Sequence, residues 1–233
     1  MSTSFLVAYC HSAQNVRGYG RFGNDMRELG LRERQKASRR KRILEVAKAK
    51  FQADGYAIVT MEAIASEADV SAVTVYNYYG SKAGLLLALV SESDELLIAQ
   101  LNTIMDDKPE DLVEVVAAFG QILRQHALSY LTKPTWREVL SASIQEGSRE
   151  FGRTYVALDR VLIDLLQSFI QDFQARGLVP RALDSAALAD CLFSLQNIRF
   201  FQFVADDDIS DAAIDETLRA DLKALNILFS QPR

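Results

Sequence analysis

Residues 60–82 read T-M-E-A-I-A-S-E-A-D-V-S-A-V-T-V-Y-N-Y-Y-G-S-K. Thr60 is a good helix N-cap, because its hydroxyl can accept a free backbone N–H of the first turn. Met61, Ile64, Ala65 and Ala68 follow at i, i+3, i+4 and i+7, which is one face of a helix. Glu62 sits in the first turn, where the helix dipole favours an anion. The pattern breaks at Asp69-Val70. Ser71 can cap a second short helix, in which Val75 and Tyr79 share a face. Gly80 closes that helix and Ser81 caps a third. Two short helices joined by a tight turn make a helix-turn-helix, a unit whose second helix enters the major groove of DNA.

Working outward, residues 38–54 predict a supporting helix with Ile43, Val46, Ala47, Lys50 and Phe51 on its inner stripe. Gly55 ends it. The residues of 71–82 then divide by role. Ala72, Val73, Thr74 and Asn77 are short or polar and suit the groove. Asn can pair bidentately with adenine, and the methyls of Ala, Val or Thr can meet a thymine methyl. The helix has no Arg to grip guanine. Thr60 and Ser71 can donate hydroxyls to phosphates as well as capping, contacts that set register without reading sequence.

Ordered matches across this stretch resemble the TetR-type (TetR/AcrR) family of bacterial transcription regulators. The family string runs roughly T-x-x-x-I-A-x-x-A-G-V-S-x-x-T-φ-Y-x-Y-F-x-S-K-x-x-L, with φ apolar. Thr60, Ile64, Ala65, Ala68, Val70, Ser71, Thr74, Val75, Tyr76, Tyr78, Ser81, Lys82 and Leu85 fall at the matching places. The likeness is close over residues 38–90 and elsewhere extends only to the helical layout. It implies that Tyr76 and Tyr78 touch the DNA backbone and that Lys82 binds phosphate. Two positions depart. Asp69 stands where the family usually has Gly, at a place expected to need left-handed backbone, which Asp tolerates better than most residues. Tyr79 replaces the usual Phe and adds a hydroxyl.

Charge is divided along the chain. Residues 1–90 hold 13 Lys and Arg against 8 Asp and Glu, whereas residues 91–233 hold 13 against 23. A basic N-terminal third on an acidic whole fits a DNA-contacting domain joined to one that does not touch DNA. Seven of the basic residues, Arg32, Arg34, Lys36, Arg39, Arg40, Lys41 and Arg42, crowd into 32–42 against the single acid Glu33. Directly before the DNA-binding helices, such a run, Arg39 and Arg40 included, can neutralise phosphates or reach a minor groove. Residues 1–37 read as a flexible extension with a basic end, and Met26 is an alternative first residue. The G-Y-G-R-F-G at 18–23 is formally GxGxxG. It lacks the preceding strand and following helix of a dinucleotide site and reads as tail.

Beyond Lys82 the patterns are helical throughout. One long helix is expected over 82–105, then helices over 110–131, 135–146, 153–176, 185–204 and 211–229. Lys133-Pro134 should end one of them, and Gly147 and Gly152 should bracket a turn. The helix over 153–176 has apolar residues on nearly every side and is expected to be buried. Only four prolines occur and strand-like alternation is missing, so the fold class is all-α. The expected layout is a helix-turn-helix domain over 38–84 and a helical effector-binding and dimerisation domain over 85–233. The helix over 185–204 is too apolar to leave a bare face in water, and a patch of that size marks an interface. A homodimer through the last two helices, which the family resemblance also implies, would space two recognition helices to read a palindromic operator in double-stranded DNA.

The resemblance further implies a small-molecule effector held among the middle helices. His126, Tyr130, Trp136 and Tyr155 are the aromatic and polar candidates for such a pocket. The sequence does not name the ligand. No cofactor is expected. Cys10, Cys191, His11 and His126 have no metal-ligand spacing, and two distant cysteines suit a reducing cytosol. No run is long enough to span a bilayer, and the apolar S-F-L-V-A-Y-C near the start lacks a basic leader, so a cytoplasmic location is expected. No nucleophile elbow or catalytic pairing stands out, so an enzyme is not expected. The expected function is a transcriptional regulator, a repressor released by its ligand. The alternative is an architectural or partner-binding DNA-associated protein without a small-molecule effector.

Overall fold

The computed structural model describes residues 25–92, 94–147 and 149–229. The GxGxxG stretch and Cys10 lie outside these residues. All regular structure among the described residues is helical, as the composition and periodicity require. Helix α1 (Asp25–Ala53) leads into the helix-turn-helix pair α2 (Met61–Glu67) and α3 (Ala72–Tyr79). Helices α4 (Lys82–Glu92) and α5 (Asp94–Asn102) follow, the latter tightening into a 3-10 turn at Thr103–Met105. The remaining helices are α6 (Leu112–Tyr130), α7 (Lys133–Glu146), α8 (Glu150–Ala175), α9 (Ser185–Ala205) and α10 (Asp211–Phe229).

Helix α1 starts at Asp25, well before the expected Ser38, so residues 25–37 of the expected extension are helical. The reason is in the sequence. Residues 25–42 contain no proline and are dominated by Arg, Leu, Glu, Gln, Lys and Ala, all good helix formers. Charge density had masked that propensity. The chain divides into two units at Lys41/Arg42, and the side chains of residues 31–41 are exposed.

Within Arg42–Arg233 two apolar clusters form the core. One joins Ile43, Phe51, Ile64, Val75 and Leu85 of the DNA-binding head, the helix-turn-helix with residues 42–53 of α1 and the start of α4, to Leu131, Trp136, Val139, Phe151, Phe200 and Phe203. The other gathers Leu101, Val116, Phe119, Leu166, Phe169, Phe173, Phe193 and Leu218. The head therefore shares one core with α7 and α9, although the chain's functional division was expected at 84/85.

Several ends differ from expectation for identifiable reasons. Pro134 does not close a helix. It sits in the first turn of α7, where a missing N–H costs nothing, and Thr132 caps that helix through Thr135 N. Gly152 lies inside α8, pressed against the backbone of Gly147, whose φ of 45° makes the corner; a Cβ on Gly152 would fall on the Gly147 carbonyl. The glycine pair marks a close contact as well as a turn. Helix α8 is buried at its start, at Phe151, and over its second half, at Leu166, Phe169, Ile170 and Phe173, while Val156 between them is 65% exposed. Helix α9 buries Leu192, Phe193, Phe200 and Phe203 but leaves a stripe of Ala187, Cys191, Ser194 and Ile198 on the surface. The side chains of Ile227, Leu228 and Phe229 lie outside the described residues.

Candidate DNA-reading face and ligand cleft

The turn between α2 and α3 is a Schellman closure. Asp69 has φ 50°, the left-handed backbone expected from the sequence. Its N–H bonds the Ser66 carbonyl, and Val70 N–H bonds the Ala65 carbonyl at 3.0 Å. The Arg42 guanidinium donates to the Asp69 carbonyl at 3.2 Å, so this member of the basic run pins the turn. Thr60 Oγ1 accepts from Ala63 N–H and Ser71 Oγ accepts from Thr74 N–H, giving both helices the caps read from the sequence.

Helix α3 presents two faces. Val75 and Tyr79 are buried, whereas Ser71, Val73, Tyr76 and Asn77 are exposed, with Val73 at 66%. Thr74 is half-buried and its hydroxyl lies 2.8 Å from Ser71 Oγ. Ala72 and Tyr78 are half-buried against the head's core, so they are less presented than their neighbours. The Tyr76 hydroxyl donates to Glu62 Oε1 at 3.3 Å, and the Glu62 charge raises its ionisation above the ordinary tyrosine value. Lys82 donates to the Ala57 carbonyl at 3.2 Å and sits 4.3 Å above the Tyr56 ring. Burial lowers its pKa from the ordinary lysine value, with Glu138 opposing. Lys82 thus already has a carbonyl and an aromatic ring as partners. Arg39 and Arg40 are exposed on α1 within Met1–Lys41.

A cleft opens where the two apolar clusters meet. His126, Trp136 and Tyr155 line it, together with Phe193 and Phe200. Tyr130 does not. It stacks on His126 with centroids 5.2 Å apart, and Lys48 Nζ of α1 lies 3.6 Å from its ring centroid. Gln52 of α1 donates to the carbonyls of Ser129 and Tyr130, satisfying acceptors that the end of α6 leaves open. The Trp136 indole N–H donates to the Ala127 carbonyl at 2.9 Å, and its ring meets Phe200 edge-on. Burial pushes the Tyr155 hydroxyl well above the ordinary tyrosine range.

Sequence reasoning missed Asp159, Gln196 and Asn197, which also line the cleft. Burial pushes the Asp159 carboxyl up to about 7. Asp159 falls on the stripe of Tyr155, Leu158 and Leu162, and Gln196 on that of Leu192, Phe193 and Phe200, but the periodicity places them on a helix face without saying that the face borders a cleft. Arg124 was missed too. It is fully buried on α6, with Nε 2.6 Å from Asp211 and Nη2 3.1 Å from Asp215 of α10. Among the described residues no His, Cys, Asp and Glu group could hold a metal ion, and no helix is long and apolar enough to cross a membrane.

Residues 43–89 match the family model described as bacterial regulatory proteins, tetR family. A nucleoid occlusion factor, SlmA, of Shewanella loihica is 27% identical over 175 residues, which span 74% of this chain and 86% of that one. SlmA of Shewanella amazonensis is 25% identical over 176 residues, 75% of this chain and 87% of that one. Among solved structures, Thermus thermophilus FadR, a TetR-family transcriptional repressor in complex with lauroyl-CoA, aligns with TM-score 0.64 at 20% identity, over 83% of this chain and 96% of that one. A TetR-family regulator of Pectobacterium atrosepticum aligns with TM-score 0.63 at 23% identity, over 91% and 100% of the two chains.

Proposed function

We propose that this chain, a TetR-type regulator by its DNA-binding segment and its fold, represses transcription from a palindromic operator and is released by a small molecule. The observation that carries the reading is the bare face of α3, with Ser71, Val73, Tyr76 and Asn77 exposed on a helix capped at its N-terminus. Asn77 and the methyls of Val73 read bases, while Thr60, Ser71, Tyr76 and the basic run that includes Arg39 and Arg40 hold phosphates. Thr74, Ala72 and Tyr78 contribute from the edges of that face. Lys82 must exchange the Ala57 carbonyl for a phosphate to join them. The exposed stripe of α9 and the adjoining α10 supply the homodimer surface that sets two such faces about one DNA turn apart.

Ligand release has a physical route. His126 borders the cleft and stacks on Tyr130, which Lys48 and Gln52 grip from the head. A ligand that moves the end of α6 therefore moves α1, provided that it binds the DNA-free arrangement better than the DNA-bound one.

Selection of genomic fragments by the purified chain at near-physiological salt tests this reading. The expected result is an inverted repeat. Asn77→Ala should lose discrimination at one base pair of each half-site, a cost of about 1–3 kcal/mol. A folded protein that enriches no sequence would sink the specific repressor. The 25–27% identity to nucleoid occlusion factors over three quarters of the chain favours a second reading in that event, a DNA-associated protein that acts through a protein partner and needs no small molecule.

A further inference from the structure

We infer that the cleft takes an aromatic or aliphatic amine, with the Asp159 carboxylate receiving its ammonium group. This rests on the reading of the cleft as a ligand site. The cleft is lined mainly by apolar side chains, with aromatic rings from three helices: Trp136 on α7, Tyr155 on α8, and Phe193 and Phe200 on α9. A carboxyl group stands among them. Asp159 is half-buried and has no ion-pair or hydrogen-bond partner among the described residues. No Lys or Arg lines the cleft with it; its ionisable companions are Tyr155 and His126.

A desolvated carboxylate without a counter-ion is costly, and a protein ordinarily supplies a cation or holds the group neutral. Burial pushes the Asp159 carboxyl up to about 7. A ligand ammonium supplies the cation. The N–H donates a charge-assisted hydrogen bond to the carboxylate, and the surrounding ring faces attract the same positive charge. The carboxamides of Gln196 and Asn197 add polar contacts in the same wall. A ligand carboxylate meets the opposite situation, since it would face Asp159 with no basic side chain between them.

The test uses three soluble probes that differ only at the head: 4-phenylbutylamine, 4-phenylbutan-1-ol and 4-phenylbutanoate. Each is titrated into the full chain at pH 8, followed by calorimetry and by the fluorescence of Trp136, the single tryptophan. The amine should bind at least tenfold tighter than the alcohol, and the acid should bind weakest. Asp159→Asn, which keeps the side chain's shape, should bring the amine down to the alcohol's affinity and leave the alcohol unchanged. Equal binding of all three would overturn the amine preference while leaving the cleft a ligand site. An amine advantage that survives Asp159→Asn would overturn the role of Asp159. Failure of all three probes to bind would overturn both this inference and the effector reading beneath it.

Discussion

Two aspartates show how much a single residue can carry. Asp69 holds left-handed backbone where glycine would be unstrained, and it does so because the Schellman bonds and Arg42 fix the turn around it. The sequence announced that position through the resemblance alone. Asp159 is different, since nothing in the local spacing said that its stripe would border a cleft. Its carboxyl ionises near 7 in the folded chain, above the ordinary 3.8. Between about pH 4 and pH 7 the folded chain therefore holds a proton that the unfolded chain has lost. Stability contributed by this group falls as pH rises through that window and is level above it. Tyr155 and His126, the neighbouring titratable groups, lie on α8 and α6. Asp159→Asn should remove the fall, so the variant should match the native chain near pH 4 and exceed it at pH 8. The ceiling on the gain is about 4 kcal/mol. Urea midpoints at the two pH values check this. A variant that is equally or less stable at pH 8 would contradict the burial of that carboxyl.

At the scale of elements, the helix-turn-helix was legible because its signals are local. Thr60 and Ser71 cap, Gly80 stops, and the i, i+3, i+4 apolar rows define the inner faces. The ends that the sequence misplaced depend on contacts between segments. Gly152 reads as a helix breaker until Gly147 is packed against it, and Pro134 as a terminator until Thr132 caps the next helix. The pairing of α6 with α10 was not legible at all. It relies on Arg124, a charged residue in an apolar row of α6, held by Asp211 and Asp215, while Arg219 of α10 bonds Asp215 and Glu114. Gly120 lets α10 approach closely; a Cβ there would stand 2.9 Å from Leu218 Cδ2. Removing one partner of a buried pair leaves the other charges uncompensated. Arg124→Ala should therefore destabilise the chain by about 3 kcal/mol, read from chemical denaturation. A loss under about 1 kcal/mol, the value of an exposed pair, would mean that water replaces the guanidinium freely.

At the scale of the whole chain, the head and the ligand cleft share more than a connecting helix. The head's apolar cluster includes Trp136 and Phe200, which also line the cleft, and α1 grips the end of α6 through Lys48 and Gln52. The cleft could not be read from sequence because six helices build it from residues far apart in the chain. His126, Trp136 and Tyr155 were found by residue type, and Tyr130 proved to stand behind the lining, in contact with the head. Everything downstream depends on whether the exposed face of α3 reads sequence. The most direct measurement is a fluorescence titration of the full chain against the selected duplex and a scrambled duplex of equal length, at physiological salt, with the stoichiometry determined. The expected result is two chains per inverted repeat and an affinity at least about 10³-fold above the scrambled duplex. Equal affinity for both duplexes would contradict the account.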